Sequence, residues 1–142
     1  IFNNVEIIEN DGNAISLHTG DFEINHCLIT ENAGYPISFN EEGKRIQIDH
    51  STIITDQNYL FYNAAGSTDF FDLSVSNSIL YSYPGAAPIV YFYDSYGIEG
   101  LAFSYNNITG DCNNIEWELG PAITPTCIGN IDADPLFNED FC

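Results

Sequence analysis

The sequence predicts an all-β fold, a parallel β-solenoid of about five coils. Three observations carry this expectation. The chain repeats itself: FNNVEIIENDGNAISL, residues 2–17, returns 22 residues later as INHCLITENAGYPISF, residues 24–39, with seven identities in sixteen positions. Two apolar residues five positions apart then recur as Phe2/Ile7, Ile24/Ile29, Ile48/Ile53, Val75/Leu80 and Phe103/Ile108, at intervals of 22, 24, 27 and 28. Strong helix signals are missing throughout, and Gly and Asn punctuate the chain instead. A unit of this length cannot bury its own apolar side, so it stacks on copies of itself.

Each copy reads as two or three short strands separated by bends. In the second copy these are FEINH (22–26), CLIT (27–30) and PISF (36–39), with ENAG turning the chain between the last two. The third copy repeats the plan with RIQIDH, STII, TDQN and YLFY. Two more columns align, Ile15/Ile37/Leu60/Ile89/Ile115 and Leu17/Phe39/Tyr62/Tyr91/Trp117. Their members lie two positions apart, the alternation of a strand whose two residues share an inward face. Eight positions after the first anchor stand Asn10, Asn32, Asp56, Tyr83 and Asp111, where stacked asparagines would bond the backbone of one coil and the amide of the next. The fourth copy carries a longer insertion, ILYSYPGAAPIVYFYDSYG, with Tyr81, Tyr83, Tyr91, Tyr93 and Tyr96. Tyrosines on such a loop serve as a stacking surface for a glycan or an anchor for a protein partner. Five coils at an inter-strand spacing of about 4.8 Å make a rod of roughly 24 Å. Its open edges ask for a further coil, a cap or another molecule, so self-association through the ends is expected.

Composition narrows the partners. The net charge is −19, and Lys44 and Arg45 are the only basic residues besides histidine, so nucleic acid and acidic membrane surfaces would be repelled. No apolar run approaches the roughly 20 residues of a membrane span. Cys112, Cys127 and Cys142 recur at intervals of 15, too far apart for a zinc knuckle. Pairing of Cys112 with Cys127 would close a loop and place the protein outside the cytosol, extracellular or at the cell surface. Cys142 pairs either with Cys127 or with a residue beyond this sequence, and Cys27 reads as a buried thiol.

The I-x-N/H-x-x-I coils over residues 2 to about 119, and the tail GNIDADPLF at 129–137, resemble the right-handed parallel β-helix repeats of the pectin-lyase-like superfamily. The resemblance divides the chain into coils at 1–119 and an irregular exit segment at 120–142, as in secreted bacterial surface proteins. It implies fold and secretion rather than one activity, because the superfamily holds lyases, hydrolases, adhesins and stalks alike. A lyase of this fold needs a base and a cation. Lys44 and Arg45 are adjacent, so their side chains face opposite ways, and Glu41 and Glu42 lie close enough to neutralise them. A glycosidase needs two carboxylates roughly 5–10 Å apart, one with a raised pKa. Among the outward positions of the first strands only Glu23 and Asp49 qualify, about 8 Å apart by sheet geometry. His26 and His50 share one coil position and read as a polar ladder. Asp132 and Asp134, with the acidic run at 138–140, are the candidates for calcium, and no other cofactor is expected. The leading expectation is a non-catalytic stalk or adhesin segment that touches a glycan or protein, and the alternative is a polysaccharide lyase or glycoside hydrolase.

Overall fold

In the computed structural model the described residues are 1–39, 44–63, 71–82, 90–94, 97–110, 112–120 and 123–133. The first rung comprises β1 (Phe2–Asn3), β2 (Glu6–Ile8) and β3 (Ile15–Leu17), and the second β4 (Phe22–Asn25), β5 (Leu28–Thr30) and β6 (Ile37–Phe39). The third holds β7 (Lys44–Asp49), β8 (Thr52–Thr55) and β9 (Phe61–Asn63), and the fourth β10 (Phe71–Ser76), β11 (Ile79–Ser82) and β12 (Val90–Asp94). β13 (Ile98–Ser104), β14 (Asn107–Ile108) and β15 (Ile115–Leu119) form the fifth, and β16 (Thr126–Ile128) opens another. Every pairing is parallel, giving three sheets ordered β1-β4-β7-β10-β13-β16, β2-β5-β8-β11-β14 and β3-β6-β9-β12-β15. The described residues contain no helix, and none long and apolar enough to cross a membrane.

The chain is therefore an all-β parallel solenoid. Five rungs enclose about four full turns, one fewer than the coil count the repeats suggest, because stacked strands lie one turn apart. After Leu119 the chain does not leave the stack at once. β16 pairs with β13 through Ala102↔Thr126, Phe103↔Cys127 and Ser104↔Ile128, and Ile131 bridges to Asn107.

The two anchor columns hold in register. Phe2, Ile24, Ile48, Val75 and Phe103 pair successively in the first sheet, and Ile7, Ile29, Ile53, Leu80 and Ile108 in the second. The third sheet corrects the sequence alignment by one residue. Its inward columns are Ile15/Ile37/Phe61/Val90/Ile115 and Leu17/Phe39/Asn63/Phe92, and the backbone of Trp117 stands in register with Phe92. Leu60, Tyr62 and Tyr91 are thus not ladder partners of the inward residues. A one-residue shift moves a strand's whole side-chain set to the other face, so Tyr62 and Tyr91 point out. The inward alternative is better filled, since Phe61 and Phe92 are fully buried and Phe61 stacks on Phe39 at 6.4 Å. Each such burial contributes about 2–3 kcal/mol.

Each rung bends between the first and second sheets at a left-handed residue: Asn4, His26, His50, Asn77, Tyr105 and Gly129, with φ between 47° and 64°. After four of these, His26, His50, Asn77 and Tyr105, a side chain one rung up accepts the next residue's backbone N–H. Cys27 N donates to Ser51 Oγ at 3.1 Å, Ser51 N to Ser78 Oγ at 3.1 Å, Ser78 N to Asn106 Oδ1 at 2.9 Å and Asn106 N to Asn130 Oδ1 at 2.9 Å. The asparagines also donate back, Asn106 Nδ2 to Val75 O at 2.9 Å and Asn130 Nδ2 to Phe103 O at 2.8 Å. These bonds form a polar spine inside the wall.

The asparagine pair expected at the next bend is also present. Asn10 N and Nδ2 both donate to Asn32 Oδ1, at 3.1 and 2.7 Å, while Asn32 Nδ2 donates to Ile7 O and Thr30 O. It does not continue to Asp56, which is exposed and accepts from Gln57 Nε2. Tyr83 and Asp111 lie outside the described residues. Gly34 closes the bend below: a Cβ there would sit 2.6 Å from the Asn13 backbone nitrogen.

Cys112 and Cys127 form the expected disulfide, and Cys27 is a buried free thiol. Cys142 lies outside the described residues. The bond ties the last first-sheet strand to the loop that follows β14.

Asn106→Ala leaves Ser78 N–H and Val75 C=O buried without their partners, at about 1–3 kcal/mol for each orphaned group. The expected loss of about 2–4 kcal/mol is read from the urea midpoint, and a change below 1 kcal/mol would sink the spine as a stabilising device. Reducing the disulfide, whose ends lie 15 residues apart, removes about 3 kcal/mol in the chain-entropy model. Amide exchange should then accelerate at Thr126–Ile128 while β7 and β10 keep their protection.

Candidate functional site

Glu23 and Asp49 both stand on the outer wall of the first sheet. Glu23 pairs with Gln47 and Asp49 with Asn25, one rung and two residues apart as the sequence implied. Their environments differ. Glu23 is exposed. Asp49 Oδ1 accepts from Ser76 Oγ at 2.7 Å and Asn77 Nδ2 at 2.8 Å, and Oδ2 lies 2.6 Å from His50 Nδ1. The bond from Ser76 is the largest influence on its pKa; partial burial opposes it, Asn77 and His50 add to it, and the carboxyl is held at about 2. Asp49 is therefore ionised at all ordinary pH values, the reverse of the raised pKa a general acid requires.

His50 stacks on His26 with ring centroids 5.2 Å apart and planes within 7°, the ladder the shared coil position implied. Among the described residues no three His, Cys, Asp or Glu side chains converge on a metal position. Asp132 is exposed, and Asp134 and the acidic run at 138–140 lie outside the described residues. Arg45 Nε lies 3.4 Å from Asp72 Oδ2 on the exposed wall, and its backbone N–H donates to Asp21 Oδ1 at 3.2 Å. The next rung's aspartate is thus one of its partners, and Glu41 and Glu42 lie outside the described residues.

The predicted tyrosines separate. Tyr81 is half-buried on the outer face of the second sheet, in register with Ile54. Tyr93 is 39% exposed, and Tyr83 and Tyr96 lie outside the described residues. Tyr91 joins a cluster with three residues that the sequence pattern does not mark as binding residues: Tyr35, Tyr59 and Tyr62. Tyr62 lies between Tyr35 and Tyr91, with centroids 4.1 and 5.1 Å away and both planes within 12°. Tyr59 leans across them, 5.0 Å from Tyr91, 6.0 Å from Tyr62 and 6.1 Å from Tyr35.

Register builds this cluster. Tyr62 and Tyr91 are cross-strand partners on β9 and β12, and Tyr35 and Tyr59 each stand two residues before the paired inward residues Ile37 and Phe61. The matched positions in GYPISF and NYLFYN were the available signal, hidden by the one-residue slip.

Carboxylates border the rings. Tyr59 donates its hydroxyl to Glu116 Oε2 at 2.8 Å, and Glu116 pairs in register with Tyr91. Burial, then the Glu116 bond and charge, push Tyr59 up to about 12; burial, then Glu118, does the same for Tyr91. Burial and Tyr62 also raise Tyr35. The surface is aromatic in its middle and acidic along the β15 edge.

No family model matches the sequence, and no curated protein or solved structure matches it significantly. The class defined by the coordinates is that of parallel β-solenoids.

Both kinds of titrating group give pH limbs to stability. Tyr59 and Tyr91 are raised from 10.0 to about 12, so the folded state keeps protons that the unfolded chain releases. Their contribution is present below pH 10 and lost as pH rises from 10 to 12. Asp49 is depressed from 3.8 to about 2, so its contribution is present above pH 3.8 and lost as pH falls to 2. Urea midpoints against pH should show a flatter alkaline limb for Tyr59→Phe/Tyr91→Phe and a flatter acid limb for Asp49→Asn. Limbs parallel to those of the unaltered chain would refute both assignments.

Proposed function

We propose that this chain is a non-catalytic segment of a secreted or cell-surface solenoid protein of the pectin-lyase-like kind, a rigid rod that presents a tyrosine- and carboxylate-bearing wall to a glycan or protein partner. The observation that carries the reading is the outward cluster of Tyr35, Tyr59, Tyr62 and Tyr91, spread over three rungs and bordered by Glu116 and Glu118. Large amphipathic rings held rigid by their neighbours lose little entropy when a partner covers them. The Cys112–Cys127 disulfide supports an oxidising, extracellular setting.

The rival reading, a polysaccharide lyase or glycosidase, has less support. Asp49 is committed to three hydrogen-bond donors and Arg45 to Asp72. Neither arrangement suits proton transfer to a sugar.

Two measurements test the reading together. Incubation with neutral and acidic polysaccharides, with and without calcium, should release no new reducing ends or unsaturated products. An array of glycans and extracellular-matrix proteins should retain the chain, and Tyr59→Ser/Tyr91→Ser should weaken that retention about tenfold, the equivalent of about 1.4 kcal/mol. Cleavage by the chain, or undiminished retention of the variant, would overturn the proposal.

A further inference from the structure

At the bend between the first and second sheets, near the last rungs, lies an open cavity of about 270 Å³. It borders Tyr105, Asn77, Asn107, Ile79, Gly129 and Ile131. Tyr105 is 66% exposed, and the Cδ1–Cε1 edge of its ring approaches Gly129 closely, where a Cβ would come within 2.7 Å of Cδ1 and 2.9 Å of Cε1. The absence of a side chain at residue 129 makes room for this edge of the ring, and much of the ring faces solvent.

The amides beside it are oriented by the fold. Asn77 donates Nδ2 to Asp49 Oδ1, which turns its own Oδ1 away as an acceptor. Asn107 accepts from Ala133 N on Oδ1 at 3.1 Å, which leaves its Nδ2 as a donor. Among the described residues these two atoms and the Tyr105 hydroxyl have no hydrogen-bond partner. Ile79 is half-buried and Ile131 59% exposed, so the cavity also has an apolar side.

We infer that this cavity is a subsite for one neutral pyranose unit of a glycan. A pyranose presents an apolar C–H face and a rim of hydroxyls, each able to donate and accept. The cavity offers the complement: an aromatic face, an apolar isoleucine pair, one amide acceptor, one amide donor and a phenol. Its volume falls below the roughly 300–1,000 Å³ of drug-sized sites and suits a single ring. None of the bordering side chains is charged, and the net charge of −19 repels uronates, so the sugar is neutral. The inference rests on the reading of the rod as a glycan-contacting surface and places one subsite away from the tyrosine cluster.

The test is an amide-resolved NMR titration with hexasaccharides of glucose, mannose, galactose and N-acetylglucosamine. At least one should give saturable shifts centred on Tyr105, Asn107, Gly129 and Ile131. Tyr105→Gly removes the ring while suiting the local φ of 57°, and should weaken binding about tenfold, the upper range of an aromatic contact. Asn107→Asp keeps the acceptor for Ala133 N but removes the donor, and should weaken the same sugar with the spectrum otherwise intact. Shifts confined to the Tyr35, Tyr59, Tyr62 and Tyr91 face would overturn this subsite and leave the rod–glycan reading standing. Absence of shifts with every sugar would overturn the subsite as well, while retention of the chain by a matrix protein would still support the rod as a protein-binding surface.

Discussion

The solenoid depends on how it turns its first corner. A left-handed residue ends each first-sheet strand, from Asn4 to Gly129, and the following N–H then needs an acceptor inside the wall. Away from glycine, asparagine is among the residues that tolerate this conformation best, while His26, His50 and Tyr105 adopt it at a cost that six-fold repetition of the same corner makes tolerable only with compensation. That compensation is the spine through Ser51, Ser78, Asn106 and Asn130, which supplies a side-chain acceptor after four of the six corners, those of His26, His50 and Tyr105 among them. A buried N–H left without one costs as much as a deleted methyl group or more. Corner and spine fix the vertical register, and the apolar columns then fall into line.

Much of this was legible in the sequence because burial repeats. Anchors in the first two sheets recur at fixed offsets from the corner, so the pairs from Phe2/Ile7 to Phe103/Ile108 aligned without error. The third sheet lies beyond turns of different length, and the offset from the anchor drifts there. Leu60 and Phe61 are both apolar and both buried, so hydrophobicity alone did not choose between them. The pairing did, and with it the direction of the side chains from Phe61 to Asn63 and from Val90 to Phe92. The spine was harder to see for another reason. Its members are Cys27, Ser51, Ser78, Asn106 and Asn130, which share an acceptor's role in four cases but no single residue type.

The outer wall was the least legible part, since nothing periodic selects outward residues. Tyr91 was singled out for its place in a tyrosine-rich stretch, yet its partners lie in other rungs. Asp49 could be assigned a wall and a neighbour but not a role. Only the coordinates reveal that Ser76, Asn77 and His50 converge on it and hold it ionised.

The same wall shows how so acidic a chain tolerates its own charge. Lys44 and Arg45 cannot neutralise a net charge of −19, so neutral donors from adjacent residues and neighbouring rungs do part of the work. Ser76 and Asn77 serve Asp49, Tyr59 serves Glu116, and Tyr91 serves Glu118. Each carboxylate so engaged removes a hydroxyl or amide from the pool that a ligand could meet. At the bend near Tyr105 and Asn107 no carboxylate lines the cavity among the described residues, and the Asn107 amide keeps a donor there. The neutral-sugar subsite proposed there follows from the same shortage of cations that commits the rest of the wall to internal hydrogen bonds.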